Sequence, residues 1–483
     1  MTAAPIPEAT GASTGRMADH FDVIVIGAGP AGTAAALRAA ELGASVAVCE
    51  SDRLGGTCVN TGCVPTRVLA KTARLMREIR TADAYGISVI ERPVDWPATV
   101  DRVRQTVDRV RSLKYEATRF ADAGVELILE GRARFEDAYT LRLETGRAIT
   151  ADAILVCVGG HSRRLPVPGA ELATVPEHVL DLPRVPDRLA VIGGGNTGAQ
   201  LVTVFSSFGS AVTLLDLADR VLATSDQSIS DAVAAAFIEQ GIVLRLGIGG
   251  VAGLARAADG SITLNWTENG QALCGSFDTV IMATGWPADV GDLGLETAGV
   301  ATSRSSIAVD AYFRSSVPHI FAVGDANGRD MLVQAAQSEG EAAAENAVLD
   351  ANRRTPNQLL PAGGFTDPDY AGVGLTEVES RRRDALCVVT VVPYTSLDRA
   401  VIDDRQRGFL KMITDRRREL ILGAHAVGEN AVEVIQSVTT AMAAGVDVST
   451  LAKVRFAYPT YSAVIGLAAR SLLAEHADHT SIV

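Results

Sequence analysis

Apolar residues run without interruption through Val23-Ile24-Val25-Ile26 after Asp22, and the run stops at Gly27-Ala28-Gly29-Pro30-Ala31-Gly32. A short continuous apolar stretch closed by glycine fits a strand buried on both faces, as in a parallel sheet. An alanine-rich helix is predicted to Gly43, then a second strand from Ser45 to Cys49 that delivers Glu50. The pattern recurs. Leu189-Ala190-Val191-Ile192 meets Gly193-Gly194-Gly195-Asn196-Thr197-Gly198, a helix continues to a stop at Gly209, and Ala211 to Leu215 leads into Asp216. The same 23-residue spacing separates Gly27 from Glu50 and Gly193 from Asp216. Two strand-turn-helix-strand units in one chain predict an α/β fold with parallel sheets.

A lone glycine motif is weak, but strand, glycines, helix, strand and acid in this order describe a Rossmann-like dinucleotide-binding unit. Gly27, Gly29 and Gly32, like Gly193, Gly195 and Gly198, permit a tight turn and close backbone approach, and the helix start offers free N–H groups to a pyrophosphate. Glu50 and Asp216 stand where an acid bonds a ribose 2′-OH. Two units imply two nucleotide cofactors. Asp216 repels a 2′-phosphate and favours NADH over NADPH, a preference that Arg220, four residues on, softens.

Between the units lies Gly55-Gly56-Thr57-Cys58-Val59-Asn60-Thr61-Gly62-Cys63-Val64-Pro65. A regular helix would hold Cys58 and Cys63 roughly 8 to 9 Å apart at Cα, whereas a disulfide tolerates about 4.4 to 6.8 Å. A redox pair here needs a bend at Asn60 to Gly62, which Gly62 makes inexpensive. Such a pair behind the first unit suggests a flavin there and a nicotinamide at the second.

A chain of 483 residues, 47% hydrophobic, has room for about three domains. The net charge of −13 and the lack of a basic run argue against nucleic acid or an anionic membrane as partner. No stretch resembles a membrane span or a secretory signal, so a cytoplasmic enzyme is expected, with residues 1–20 as a disordered leader. Of six cysteines, Cys49, Cys157, Cys274 and Cys387 are scattered and read as ordinary core or surface thiols. Only Cys58 and Cys63 are close, and in a reducing compartment such a pair is catalytic more often than structural. His425 reads as structural, His476 and His479 as a solvated tail, and no resident metal is expected.

Cys58 to Cys63 with the adjoining Val64-Pro65-Thr66-Arg67 resembles the flavoprotein disulfide reductases, the family of dihydrolipoamide dehydrogenase, glutathione reductase and mercuric reductase. The likeness spans Phe21 to about Leu473. Ile320-Phe321-Ala322-Val323-Gly324-Asp325 resembles the family's second FAD motif, whose aspartate binds the ribityl chain. Val158-Gly159-Gly160 and Ala283-Thr284-Gly285 fall at its short glycine turns, and Phe365-Thr366-Asp367-Pro368 with Val373-Gly374-Leu375-Thr376-Glu377 opens its interface domain. The resemblance implies an FAD domain at 21–165 and 295–355, an NAD domain at 166–294, an α+β dimerisation domain at 356–475 building a homodimer, and a tail at 476–483. Gly56, Thr57, Gly159, Asp325 and Gly285 join the cofactor-binding set. It also implies that hydride passes from NADH to flavin N5 and that the reduced flavin opens the Cys58–Cys63 bond, with Cys63 against the flavin and Cys58 facing substrate.

Departures from the family pattern concern the acceptor. Disulfide-reducing members end in a histidine, a Pro-Thr step and a glutamate that orients the histidine; here Tyr458 and Ala463 stand at those places. A phenol with an ordinary pKa of about 10 is poorly matched to neutral-pH proton shuttling, which is worth about 10²- to 10⁴-fold. Dihydrolipoamide and glutathione disulfide are expected to be poor substrates. Mercuric reductases also carry a tyrosine there, and Gly466-Leu467-Ala468-Ala469 resembles the segment just after theirs, yet no cysteine comes after Cys387 to deliver an ion. Arg67 replaces the family lysine, Gln200 its glutamate partner and Asn196 a flavin-shielding tyrosine, so Arg67 is expected to leave an uncompensated charge that raises the flavin potential. The resulting expectation is an FAD-dependent NAD(P)H oxidoreductase using Cys58, Cys63, Tyr458, Arg67 and Gln200, with a disulfide, quinone, metal ion or specialised sulfur compound as small-molecule acceptor. Two alternatives remain open: a carbon–sulfur bond-cleaving member, and a docking subunit of a 2-oxoacid dehydrogenase complex.

Overall fold

The computed structural model describes residues 19–355 and 359–480. The predicted leader up to residue 18 and the last three residues of the predicted tail lie outside the described residues. Two of those expected boundaries move. Asp19 and His20 already belong to the first strand, where they pair with Ile149 and Thr150. The last helix continues through Thr480, so backbone helix runs past position 476, where a tail was expected. The side chains of His476 and His479 lie outside the described residues.

The first sheet grows from the first apolar run. β1 (Asp19–Ile26) pairs in parallel with β2 (Val46–Cys49), and β2 with β3 (Glu126–Ile128). On the other side β1 meets β6 (Ala148–Val156), which carries the antiparallel strands β5 (Thr140–Leu143) and β4 (Ala133–Phe135) and, in parallel, β16 (Ile320–Ala322). The alanines of α1 (Pro30–Glu41) let α8 (Val333–Leu349) pack closely against it, with Gly340 directly beneath the Ala31 carbonyl. The second sheet is fully parallel, β13 (Thr279–Met282), β7 (Arg188–Ile192), β8 (Ala211–Leu215) and β9 (Val243–Arg245), with an antiparallel sheet of β10 (Gly250–Arg256), β11 (Ile262–Glu268) and β12 (Gln271–Phe277) beside it. Ala288, Val290 and Leu293 are buried in the core of the first sheet with Phe21 and Ile154. The return to the first domain therefore falls before residue 294, earlier than the expected boundary, because these side chains find their apolar partners there.

The third sheet is antiparallel in the order β17 (Ala362–Gly364), β18 (Tyr370–Gly374), β21 (Ile421–Val427), β20 (Phe409–Thr414) and β19 (Val388–Pro393). Its core also takes in α11 (Ala431–Ala443), α12 (Val448–Lys453) and α13 (Ala463–Thr480). Three ties fix the site. Val59 of α2 (Gly56–Asn60), Leu69 and Ala73 of α3 (Cys63–Arg80), Val103 and Val107 of α4 (Trp96–Lys114) and Phe205 of α6 (Asn196–Ser207) share one core. Each fully buried side chain of valine size or larger contributes about 1.5 to 3 kcal/mol. Farther along α3, Arg74 and Arg77 reach Asp369, Asp367 and Glu429 of the third domain. Lys411, buried on β20, binds Asp226 at the start of α7 (Gln227–Glu239) at 2.9 Å and Glu377 of α9 (Glu377–Arg383) at 2.5 Å.

Candidate active site

The two cysteines sit on either side of a helix break. α2 ends at Asn60, the N–H groups of Thr61 and Gly62 both donate to Thr57 O at 3.0 and 2.7 Å, and α3 starts at Cys63. Asn60 pins this turn. Its Nδ2 donates to the carbonyls of Leu54 and Gly56, and its Oδ1 accepts from Arg111 at 2.7 Å. The predicted bend is present, and its polar support from α4 has no local signature. Cys58 and Cys63 face each other as free thiols, and they are close enough to share a hydrogen bond. That bond from Cys58, aided by the N–H at the start of α3 and by Arg67, holds Cys63 below the ordinary thiol range, against burial and the nearby Asp325. The same bond and burial push Cys58 up. The pair titrates as a unit, and its first negative charge resides on Cys63.

Both nucleotide cradles have the shape a pyrophosphate requires. Gly27 (φ +99°) and Gly193 (φ +107°) take left-handed backbone and press against the carbonyls of Cys157 and Ala283, where no Cβ fits. Gly32 and Gly198 lie against the carbonyls of Gly27 and Gly193. The middle glycines differ: Gly195 faces open space, and Gly29 meets only Gly56. Neither α1 nor α6 has a side-chain cap, so their first N–H groups are free for an anion. Glu50 Oε2 accepts from Ala28 N at 2.8 Å, while Asp216 accepts from the N–H groups of Gly194 and Ala218. Each acid is thus fixed at the rim of its own glycine turn. Gly56, Thr57 and Gly159 converge on the first cradle, with Thr57 Oγ1 about 4.0 Å from the open side of Gly159. Asp325, pushed up by burial, accepts from Trp286 Nε1 at 2.8 Å. Gly285 turns beside the Arg163 guanidinium, and Arg220 turns away to the carbonyl of Ala223. These residues fit FAD at the first cradle and a nicotinamide dinucleotide at the second.

Arg67 and Gln200, at the positions of the family's lysine and glutamate, do not touch each other. The Arg67 guanidinium stacks on the Phe365 ring, and Gln200 spends its amide on Asn196 O at 2.9 Å and on the Phe365 N–H at 3.3 Å. Phe365 separates the two because it enters from the third domain between α3 and α6. Arg67 makes no salt bridge among the described residues; Asp369, the carboxylate that acts on it most strongly, is bound to Arg74. Desolvation lowers Arg67 to about 10, but the carboxylate of Asp369 opposes the shift, and the group stays charged at neutral pH. Asn196 accepts from the buried Tyr370 hydroxyl at 2.8 Å, so a phenol from β18 reaches the helix position where the family's own tyrosine is absent. Sequence reading missed Phe365 and Tyr370 as site residues. A phenylalanine and a tyrosine beside a domain-opening motif carry no mark of a contact more than 160 residues away in sequence.

Tyr458 lies on the surface of its own chain, 80% exposed, next to a cis Tyr458–Pro459 bond. The expectation that no carboxylate orients this position is also corrected. Tyr458 OH donates to Asp398 Oδ2 at 2.8 Å, and Asp398, the first residue of α10 (Asp398–Ile402), raises the phenol's pKa. Asp398 comes from 60 residues earlier rather than from the Ala463 position, so spacing could not reveal it. His425 is buried, with Nε2 at 3.0 Å from Leu375 O and its pKa lowered by burial, and belongs to the packing of β21.

Residues 21–340 match the family described as pyridine nucleotide-disulphide oxidoreductase, and residues 360–469 match its dimerisation domain. Mercuric reductase of Bacillus cereus is 32% identical over 452 residues, which cover 93% of this chain and 71% of the relative. Dihydrolipoyl dehydrogenase of Zymomonas mobilis is 32% identical over 464 residues, covering 92% and 96%. Glutathione reductase of Nostoc sp. is 32% identical over 444 residues, covering 89% and 95%. Among solved structures, the Cu(II) complex of the HOCl-induced flavoprotein disulfide reductase RclA from Escherichia coli aligns with a TM-score of 0.82 and 25% identity, over 94% of this chain and all of that one.

Proposed function

Because the chain belongs to the pyridine nucleotide-disulphide oxidoreductase family, whose members use FAD and NAD(P)H, we propose that it passes electrons from NADH through FAD and the Cys58–Cys63 pair to a thiophilic metal ion. FAD supplies the two-electron relay between nicotinamide and sulfur. The residues do the rest. Asp216, held by two backbone amides, accepts from the adenosine ribose and disfavours a 2′-phosphate. Asp325 accepts from the flavin's ribityl hydroxyls, and Arg67, steadied by Phe365, keeps positive charge beside Cys63.

The observation that carries the acceptor assignment is the Tyr458 hydrogen bond. With its proton donated to Asp398, the phenol oxygen presents lone pairs outward. It suits a cation held by sulfur better than a leaving thiolate that needs a proton. The dimerisation domain serves a homodimer, and on this reading the exposed Tyr458 serves the active site across the subunit interface, where a cysteine thiol gives up its proton when it ligates a metal. The mercuric reductase relative and the Cu(II)-bound RclA structure support the same class. In a reducing cytoplasm the pair stays available as the dithiol.

The test is a steady-state screen with NADH and NADPH against mercuric and cupric ions, an aromatic disulfide, a quinone and dihydrolipoamide. Metal-dependent NADH oxidation lost in Cys58→Ser and Cys63→Ser is expected. Fast dihydrolipoamide turnover at neutral pH would refute the proton argument. The dihydrolipoyl dehydrogenase relatives favour one second reading, a subunit docked on a lipoyl-bearing core, which co-purification with that core would establish.

A further inference from the structure

A cavity of about 500 Å³ opens beside Trp286, away from the two cysteines. Its lining includes Arg163, Arg304 and Arg329 and no aspartate or glutamate, in a chain of net charge −13. Arg163 and Arg304 have no side-chain partner among the described residues. Arg329 is braced, its Nη2 donating to the carbonyls of Val309 at 2.7 Å and Asp310 at 2.9 Å. Three arginines lining one cavity that has no carboxylate in its wall, on an acidic protein, are a local charge imbalance that an anion relieves.

The loop that presents Arg304 is built at a conformational cost. β14 (Thr302–Ser303) and β15 (Ser306–Ile307) pair through a two-residue turn in which Arg304 (φ +50°) and Ser305 (φ +68°) are both left-handed. Such turns ordinarily use Asn and Gly. A long cationic side chain retained there points to a role for the side chain. The hairpin is also seated firmly: Ser306 Oγ donates to Ser303 O at 2.8 Å, and a Cβ on Gly328 would lie 2.7 Å from Ser306 Oγ.

The cavity touches both cofactor regions. Arg163 N donates to Gly285 O at 3.0 Å, on the turn after β13 whose Ala283 carbonyl packs under Gly193 of the second cradle. Trp286 lines the cavity with its indole while its N–H is held by Asp325 of the first.

We propose that this cavity binds a phosphate or pyrophosphate group, with Arg163 and Arg304 closing on the anion and Arg329 and the hairpin serines supporting it. The multiple charge of a pyrophosphate matches three guanidinium groups better than a single carboxylate does. Its source is a separate phosphorylated ligand, because the pyrophosphate of the nicotinamide dinucleotide has its own place at the second cradle. The site stands whichever compound accepts the electrons.

The test titrates the FAD-loaded protein with inorganic pyrophosphate at low ionic strength, by calorimetry and by tryptophan and flavin fluorescence, with and without saturating NAD⁺. Saturable binding is expected, weakened tenfold or more in the Arg163→Ser/Arg304→Ser double variant, partly retained in Arg304→Lys and unchanged in the remote Arg382→Ser. An unaltered flavin spectrum shows that the variants are folded. Simultaneous binding with NAD⁺ is expected of a separate site; competition by NAD⁺ would place the pyrophosphate at the second cradle and overturn the proposal. Non-saturable binding, or equal affinity in the double variant, overturns it.

Discussion

Replacing Cys58 with alanine removes the S–H group that donates to Cys63 while leaving the start of α3 and Arg67 in place. A hydrogen bond to a charged acceptor is worth about 1.5 to 3 kcal/mol, and one pH unit corresponds to about 1.4 kcal/mol. The midpoint for Cys63 ionisation in the reduced protein should therefore rise by about one to two pH units. Cys58→Ser keeps an O–H donor and should leave the midpoint within about half a unit. The sign is set by which form the bond favours: Cys58 stabilises the Cys63 thiolate, so its loss extends the thiol form to higher pH. Alkylation of Cys63 by iodoacetamide measures this directly, because only the thiolate reacts. Well below the midpoint, the alanine variant should react about 10- to 100-fold more slowly than the serine variant. An alanine variant with an unchanged or lower midpoint would show that Cys63 owes its acidity to the helix start and Arg67 instead.

Asp216→Ser should lower kcat/KM for NADH by about 10- to 100-fold, the worth of a charged hydrogen bond to a ribose hydroxyl, and should raise the NADPH-to-NADH ratio; an unchanged ratio in steady-state assays removes the role given to Asp216. Tyr458→Phe and Asp398→Asn should each reduce metal turnover roughly fivefold, with no further loss in the double variant, while NADH-driven flavin bleaching keeps its rate in stopped flow. Additive losses would mean that the two side chains act independently. Lys411→Met removes the ammonium partner of the buried Asp226, while Glu377 keeps Arg381, and should cost about 3 to 5 kcal/mol; thermal unfolding should occur roughly 3 to 10 °C lower, with partial recovery in Lys411→Met/Asp226→Asn. A shift below about 2 °C would mean that water solvates the pair.

The legible part of the sequence is local. Gly27 through Glu50, Gly193 through Asp216 and the Cys58 to Cys63 bend are each contained within about 25 residues, where glycine sterics and apolar runs act directly. The site's cross-domain partners are hidden because their contacts are made by folding rather than by adjacency. Phe365 intervenes between Arg67 and Gln200, Tyr370 meets Asn196, and Asp398 meets Tyr458. The motif spacing marks Gln200 as a replaced glutamate but does not supply its neighbour. Ala463 suggests that Tyr458 lacks a carboxylate, whereas the carboxylate arrives from another helix.

The buried ammonium of Lys411 bears on how this enzyme can be dismantled. Asp226 and the N–H of Glu377, 2.8 Å apart, share this junction with it, so a nucleotide module excised at its sequence boundaries would lose its counter-charge along with a strand-borne amine. Chimeras that graft a relative's coenzyme module onto this scaffold must transplant both halves of the electrostatic seam, or inherit a naked carboxylate at the graft.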